Sequence, residues 1–277
     1  MMATDHEERT QEFYQALLRW MLGGYDQAEQ KPFFIGMNSP QGAGKTTITT
    51  WLCEQLAERD LVAVAISIDD FYVTREAQEA LARAHPGNPH LQMRGYPGTH
   101  DIELGTATLR ALANQAEGCP VTVPRYDKSA HGGNGDRSAE SKWKIVESPA
   151  DIVLVEGWML GFQPNPRAEE SDPYLKPVNE ALPNYARWCA FLDAFIYIHA
   201  QDHRFVLDWR VMAEEKMKAA GLPGMSREAI TAYAAAFMTA YEAFSHTVSK
   251  DTLGVSHYLE LVIGRDRLPL ARQAFAG

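Results

Sequence analysis

Apolar positions recur along the chain on two periods. Phe13, Leu17, Trp20 and Met21 follow the spacing of one helical face, which predicts an N-terminal helix over residues 6–23 ended by Gly23-Gly24. Phe33-Phe34-Ile35-Gly36-Met37 is an unbroken apolar run of buried-strand length, followed by a Gly-rich turn and a helix through Leu56. Residues 61–68, rich in Val and Ile and bounded by Asp69-Asp70, predict a second strand. Val121-Thr122-Val123 before Pro124, residues 152–155 before Glu156-Gly157, residues 195–198 and residues 258–263 predict four more. Helical patterns surround the 195–198 strand: 174–192, broken near Pro177 and Pro183; 202–220, stopped by Gly221; and a third opening on Ser226 as N-cap. The third carries Ile230, Tyr233, Phe237, Tyr241 and Phe244 on one stripe, which reads as core packing rather than a cofactor box.

Strands alternating with helices predict the α/β class, with a mostly parallel central sheet covered by helices on both faces. At 277 residues the chain has room for one domain spanning 1–277 with a helical lid region at about 202–225. The stretch from about 85 to 101 is dense in Gly, Pro and His and lies between two predicted core strands; a long irregular segment there predicts a substrate loop. Composition changes this picture little: 45% hydrophobic and 22% charged residues are ordinary for a globular chain. The net charge of −10 argues against a nucleic-acid partner and against docking on an anionic membrane. It leaves room for a small anionic substrate, since a few cations in one cleft outweigh the global field. Cys53, Cys119 and Cys189 are far apart and form no C-x-x-C pair, as expected of reduced thiols. The acidic start of the chain has no apolar core of a signal peptide, and no run approaches the roughly 20 residues that span a bilayer; a cytoplasmic location is expected.

The chemistry begins at Ser39-Pro40-Gln41-Gly42-Ala43-Gly44-Lys45-Thr46-Thr47, between the first strand and its helix. Ser39 replaces the first Gly of the G-x-x-x-x-G-K-[ST] phosphate-loop pattern, while Gly44-Lys45-Thr46 fits and Gly42 adds freedom. Small residues let backbone N–H groups curl around phosphates, and the helix that follows aims its positive end at them. Lys45 would reach the β- and γ-phosphates, and the Thr46 hydroxyl would ligate Mg²⁺. ATP and Mg²⁺ are the expected ligands. The serine preserves the physics provided its position needs no positive φ.

Asp69 and Asp70 follow the second strand, where a parallel sheet opens onto its ligand crevice. A carboxylate there can take the proton of an attacking hydroxyl and help position Mg²⁺, and Asp69 is the preferred candidate. Helix capping would use the same pair. Glu156, at the end of the 152–155 strand, is placed to hold Mg²⁺. Arg204 and Arg210, at the start of the 202–220 helix, could neutralise charge on a transferred phosphoryl group; a solvated helix face would carry them equally well. Arg125, Lys128 and Arg137, with Asp70, Tyr72, Tyr126, Arg94 and His100-Asp101, offer cations and hydroxyl acceptors for an anionic acceptor.

These stretches resemble the plant-type D-glycerate 3-kinase family, within the wider uridine kinase, phosphoribulokinase and pantothenate kinase group. The resemblance rests on the phosphate loop, Asp69-Asp70-Phe71-Tyr72, Pro86-Gly87-Asn88, Arg94-Gly95 with His100-Asp101, and Pro124-Arg125-Tyr126-Asp127-Lys128-Ser129. Gly135-Asp136-Arg137, Glu156-Gly157-Trp158-Met159-Leu160-Gly161-Phe162 and Pro223-Gly224-Met225-Ser226 complete it, from about residue 33 to 246. It implies a P-loop kinase fold, ATP-dependent phosphorylation of D-glycerate, Asp69 as general base, Lys45 and Thr46 on phosphate and Mg²⁺, and Arg204 or Arg210 in a lid. The N-terminal helix and the segment after Thr247 match nothing in it. Other readings are a kinase of the same fold for another anionic or nucleoside acceptor, or a nucleotide-binding regulator without catalysis. The chain lacks the N-K-x-D motif of GTPase-type switches and keeps both Asp69 and Glu156.

Overall fold

A computed structural model describes residues 2–219 and 227–270. Helix α1 (Met2–Gln27) buries Phe13, Leu17, Leu18 and Met21. It runs through Gly23-Gly24 rather than ending there. A Cβ on Gly24 would lie 2.9 Å from the Phe33 ring, so glycine at this position serves a close approach, and packing outweighs its poor helix propensity. Strand β1 (Phe33–Asn38), buried at every position, feeds the phosphate loop and helix α2 (Lys45–Ala57). Strand β2 (Ala63–Ser67) ends in a 3₁₀ turn, Ile68–Phe71, before α3 (Arg75–Ala84), the 85–101 segment and α4 (Ile102–Ala113).

Four short strands follow, β3 (Val121–Val123), β4 (Tyr126–Asp127), β5 (Asp136–Arg137) and β6 (Lys144–Val146), then the long buried β7 (Ile152–Gly157). Residues 173–189 form brief helical pieces, among them α6 (Lys176–Ala181) and α7 (Ala186–Cys189), after a single turn, α5 (Ala168–Ser171). Prolines stand at the first positions of three of these pieces. Leu175, Val178, Leu182, Tyr185 and Trp188 still share one buried face, so the breaks leave the helical period intact. Strand β8 (Ala194–Ala200), α8 (Phe205–Ala219), α9 (Arg227–Phe244), α10 (Lys250–Leu253) and β9 (His257–Ile263) complete the order. The Gly221 stop, the Ser226 cap and the Pro223-Gly224-Met225-Ser226 motif lie outside the described residues, as do the side chains of Ile230 and Tyr233.

Five strands pair in the order β2-β7-β1-β8-β9, every neighbour parallel. Val121–Val123 was expected among the core strands. It pairs instead antiparallel with β6, outside the main sheet, and β4 pairs with β5 in a second small ribbon. Three residues with one buried side chain cannot sustain a central strand, and the half-exposed β3 takes a ribbon partner. On α9, Phe237, Tyr241 and Phe244 are buried; the first two meet Trp158 edge-on and the third meets Phe162. The α9 stripe is core packing at those positions. Among the described residues no helix is long and apolar enough to cross a membrane.

Candidate active site

The carboxyl ends of β1, β7 and β2 meet at one edge of the sheet, and the candidate site is assembled there. Gly42 and Gly44 take φ of 78° and 98°, the left-handed region that suits glycine, whereas Ser39 is not among the residues with positive φ. A serine is therefore compatible with that position. Gly44 is the N-cap of α2 and supplies no side-chain cap, which leaves the first helical amides facing the loop for an anion. The Lys45 ammonium donates to the carbonyls of Ser39 (2.7 Å) and Pro40 (3.1 Å). Its pKa is depressed by burial, against the charges of Glu156 and then Asp69. Thr46 and Thr47 stand exposed in the first turn, and the Ala43 amide closes a turn onto the Pro40 carbonyl.

Glu156, 7% exposed, lies opposite Ser67 in the β2–β7 register and hydrogen-bonds its side chain. Burial pushes the Glu156 carboxyl up, and Lys45 pulls it back. Ser67 also accepts the Asp69 backbone amide at 3.4 Å, so one hydroxyl ties the Glu156 carboxyl to the backbone that carries Asp69. Nothing in the sequence singles out Ser67 except its polarity at the end of an apolar strand.

The neighbours Asp69 and Asp70 diverge because the 3₁₀ turn points them in different directions. Asp69 faces Lys128 at 2.5 Å; burial raises its pKa, but the Lys128 charge and hydrogen bond, with help from His100 and Tyr72, bring it below the ordinary carboxylate value. Asp69 is thus an ionised carboxylate in the field of Lys45 and Lys128. Asp70 is buried and accepts from Arg125 (2.9 Å) and the Tyr126 amide (3.0 Å), and burial outweighs both in raising its pKa.

The remaining predicted substrate residues form a wall beside Asp69. Tyr72 bridges to His100 through the backbone, stacks on its ring at 4.4 Å, and meets Tyr126 edge-on. His100 Nδ1 contacts the Tyr185 hydroxyl at 2.8 Å, and burial pushes the imidazole down to about 4 against the charge of Asp69. Tyr185 also accepts the Gly98 amide. It belongs to the buried helical face, so its sequence pattern spoke only of core. Asp101 caps α4 through the Leu104 amide and pairs with Arg137 at 2.8 Å, which also donates to the Tyr72 carbonyl. Arg94 donates to the carbonyls of Gly133, Asn134 and Lys128 and lies 5.4 Å from the Tyr126 ring centre.

An anion fork made jointly by Arg94, Arg125, Lys128 and Arg137 is not what the structure presents. Arg94 secures the 128–134 loop, Arg125 pairs with Asp70 and Arg137 with Asp101, while Lys128 alone of the four meets the candidate base. The two arginines of the lid region also separate. Arg204 folds onto Asp202, two residues away, with 85% of its side chain exposed. Arg210 adjoins the loop: its backbone nitrogen is 3.7 Å from the position of a Cβ on Gly42. Among the described residues no three His, Cys, Asp or Glu side chains converge as a metal cage. Glu156, Asp69 and Thr46 supply the hard oxygens that suit a Mg²⁺ carried on phosphates, which needs only one or two protein ligands.

No protein-family model matches the chain. The chloroplastic D-glycerate 3-kinase of Arabidopsis thaliana is 41% identical over 221 residues, 78% of this chain and 48% of that protein, so the chain spans about half that relative's length. An uncharacterized kinase of Schizosaccharomyces pombe is 34% identical over 254 residues, 87% of this chain and 91% of that protein. Among solved structures, D-glycerate 3-kinase from Cryptococcus neoformans superposes with a TM-score of 0.84 at 28% identity, covering 93% of this chain and 97% of that one.

Proposed function

The chain belongs to the D-glycerate 3-kinase family of P-loop kinases, and on that footing we propose that it transfers the γ-phosphoryl group of Mg·ATP to the 3-hydroxyl of D-glycerate. The observation that carries this reading is the meeting of Lys45, Glu156 and an ionised Asp69 at the sheet edge, beside uncapped helix amides. The amides of α2 and Lys45 hold the polyphosphate, and Lys45 exchanges the Ser39 and Pro40 carbonyls for phosphate oxygens. Thr46, Glu156 and Asp69 are the residues that would hold Mg²⁺. When bound there, Mg²⁺ would supply positive charge against the phosphate oxygens.

Asp69 takes the proton of the acceptor hydroxyl as its oxygen bonds to the γ-phosphorus. The bond from that phosphorus to the β–γ bridging oxygen breaks, and ADP leaves with the electron pair. Lys128, released from Asp69, serves the acceptor carboxylate, with Tyr72, His100 and Tyr126 lining the same wall. Asp70, Asp101, Arg94, Arg125 and Arg137 shape that wall through their pairings with one another and with the loop backbone. Arg210 is the lid cation, because its helix rests on the loop and Arg204 is tied to Asp202.

ADP release from Mg·ATP across D-glycerate, L-glycerate, pantothenate, uridine and ribulose 5-phosphate tests the reading. Release with D-glycerate alone is the expected result. Release with a different acceptor retains the phosphoryl chemistry and removes the glycerate assignment. Hydrolysis that no acceptor stimulates removes both.

A further inference from the structure

The family motifs leave two parts of the chain without a role, the N-terminal helix and the segment after Thr247. In the structure they meet at the phosphate loop. Residues 264–268 form a tight turn in which the Gly264 amide donates to the Leu268 carbonyl and the Arg267 amide to the Gly264 carbonyl. Helix α1 grips the turn: Arg9 pairs with the Asp266 carboxylate at 3.3 Å, and His6 lies 3.2 Å from the Asp266 carbonyl. Helix α8 grips its other side, where Trp209 donates its indole N–H to the Arg265 carbonyl and Asp208 pairs with Arg265.

Arg267 itself has φ of 66°, one of three non-glycine residues with positive φ among those described. A side chain in that backbone region is uncommon and persists where its surroundings demand it. Here the half-buried guanidinium lies 5.7 Å from the Trp209 ring centre and donates through Nε to the Gly42 carbonyl at 2.8 Å. From the α9 side, the Tyr241 hydroxyl accepts the Gln41 amide at 3.0 Å. Two consecutive residues of the phosphate loop are thus braced by side chains from the last third of the chain.

The peptide after Gly42 is where such a brace matters. Turning this peptide over would change ψ of Gly42, which the missing Cβ leaves unhindered, together with φ of Ala43. In a trans peptide the carbonyl and the following N–H point in opposite directions. While Arg267 holds the Gly42 carbonyl outward, the Ala43 N–H faces the inside of the loop, where it now meets the Pro40 carbonyl. A flipped peptide would turn a carbonyl oxygen toward the phosphates and remove one of their donors.

We propose that Arg267 is a positioning residue for the nucleotide: by anchoring the Gly42 carbonyl it keeps the phosphate loop in the form that accepts a polyphosphate. The assignment rests on the kinase reading above and adds to it a residue outside every motif of the family resemblance. The arginine acts through the loop backbone, so a neutral donor of similar reach retains part of its effect.

The test is a series at this position, Arg267→Ala, Arg267→Gln and Arg267→Lys. Mg·ADP affinity is read by calorimetry, and the KM values for Mg·ATP and for the acceptor by coupled assay. Arg267→Ala is expected to weaken Mg·ADP binding and raise the Mg·ATP KM by about tenfold, the scale of one lost charge-assisted hydrogen bond. The acceptor KM and the thermal midpoint should hold, and Arg267→Lys should recover most of the affinity and Arg267→Gln part of it. Nucleotide constants within twofold of wild type in Arg267→Ala would overturn the proposal. Rescue by Lys but not by Gln would also overturn it, because it would mean a direct ionic contact with the nucleotide. A parallel rise in both KM values with a lowered thermal midpoint would reduce Arg267 to a structural residue. If wild-type protein binds no Mg·ADP, the kinase reading itself falls, which separates the two failures.

Discussion

Asp69 already carries the charge state a general base needs, because Lys128 outweighs the cost of burying it. Asp69→Asn should lower kcat by about 10² or more while nucleotide affinity survives, measured as turnover beside Mg·ADP calorimetry. Near-wild-type turnover would remove Asp69 from the proton transfer. His100, stacked on Tyr72 in the same wall, answers a different question. Burial pushes its pKa from 6.5 down to about 4, so the folded protein holds it neutral while the unfolded chain protonates it near pH 6.5. Its contribution to stability is therefore complete above pH 6.5 and is lost as pH falls toward 4, amounting to about 3 kcal/mol at most. Denaturant midpoints measured from pH 7 to pH 4.5 should fall with acidity, and His100→Gln should flatten that slope. An equal slope in the variant would show that other groups carry the acid sensitivity.

At the scale of elements, the site is held by short pieces that each do two jobs. Asp101 caps α4 and also fixes Arg137, which in turn holds the carbonyl of Tyr72. Asp101→Ala should cost about 1–2 kcal/mol through the lost cap and the partly exposed ion pair. It should also raise the acceptor KM more than it lowers kcat, because the Tyr72–His100 wall loosens while Asp69 stays in place. Denaturant titration and steady-state kinetics check the two halves. Unchanged acceptor KM with lowered stability would confine Asp101 to capping. The strand-loop-helix unit around Lys45 and the acids after β2 and β7 were legible in the sequence, since each is marked by a local change from apolar run to small or acidic residues. The partners of the cations were not. Arg94, Arg125 and Arg137 read as free charges until the β4–β5 ribbon folds back onto Asp70 and Tyr72.

Across the whole molecule, the parallel sheet places β1 between β7 and β8 on its two edges, and its six buried residues show the strand that feeds the phosphate loop covered on both faces as well. Gly36 sits at its middle, where a Cβ would lie 2.5 Å from the Phe195 ring and 2.7 Å from Leu192. Gly36→Ala should destabilise by about 1–3 kcal/mol and lower the thermal midpoint by several degrees, since neither neighbour has space to move. A midpoint within a degree of wild type would mean that the core is looser there than its burial implies. The sequence on its own carried the α/β class, the phosphate loop, Asp69 and Glu156, because each is encoded by residues adjacent in the chain and by a hydrophobic period that local geometry imposes. Long-range packing alone decided that β3 leaves the main sheet, that α1 continues through two glycines, that Ser67 joins the acids and that Arg267 reaches Gly42. Those outcomes depend on which surfaces meet, from the Phe33 ring beside Gly24 to a carbonyl 225 residues from Arg267, and no local spacing records that.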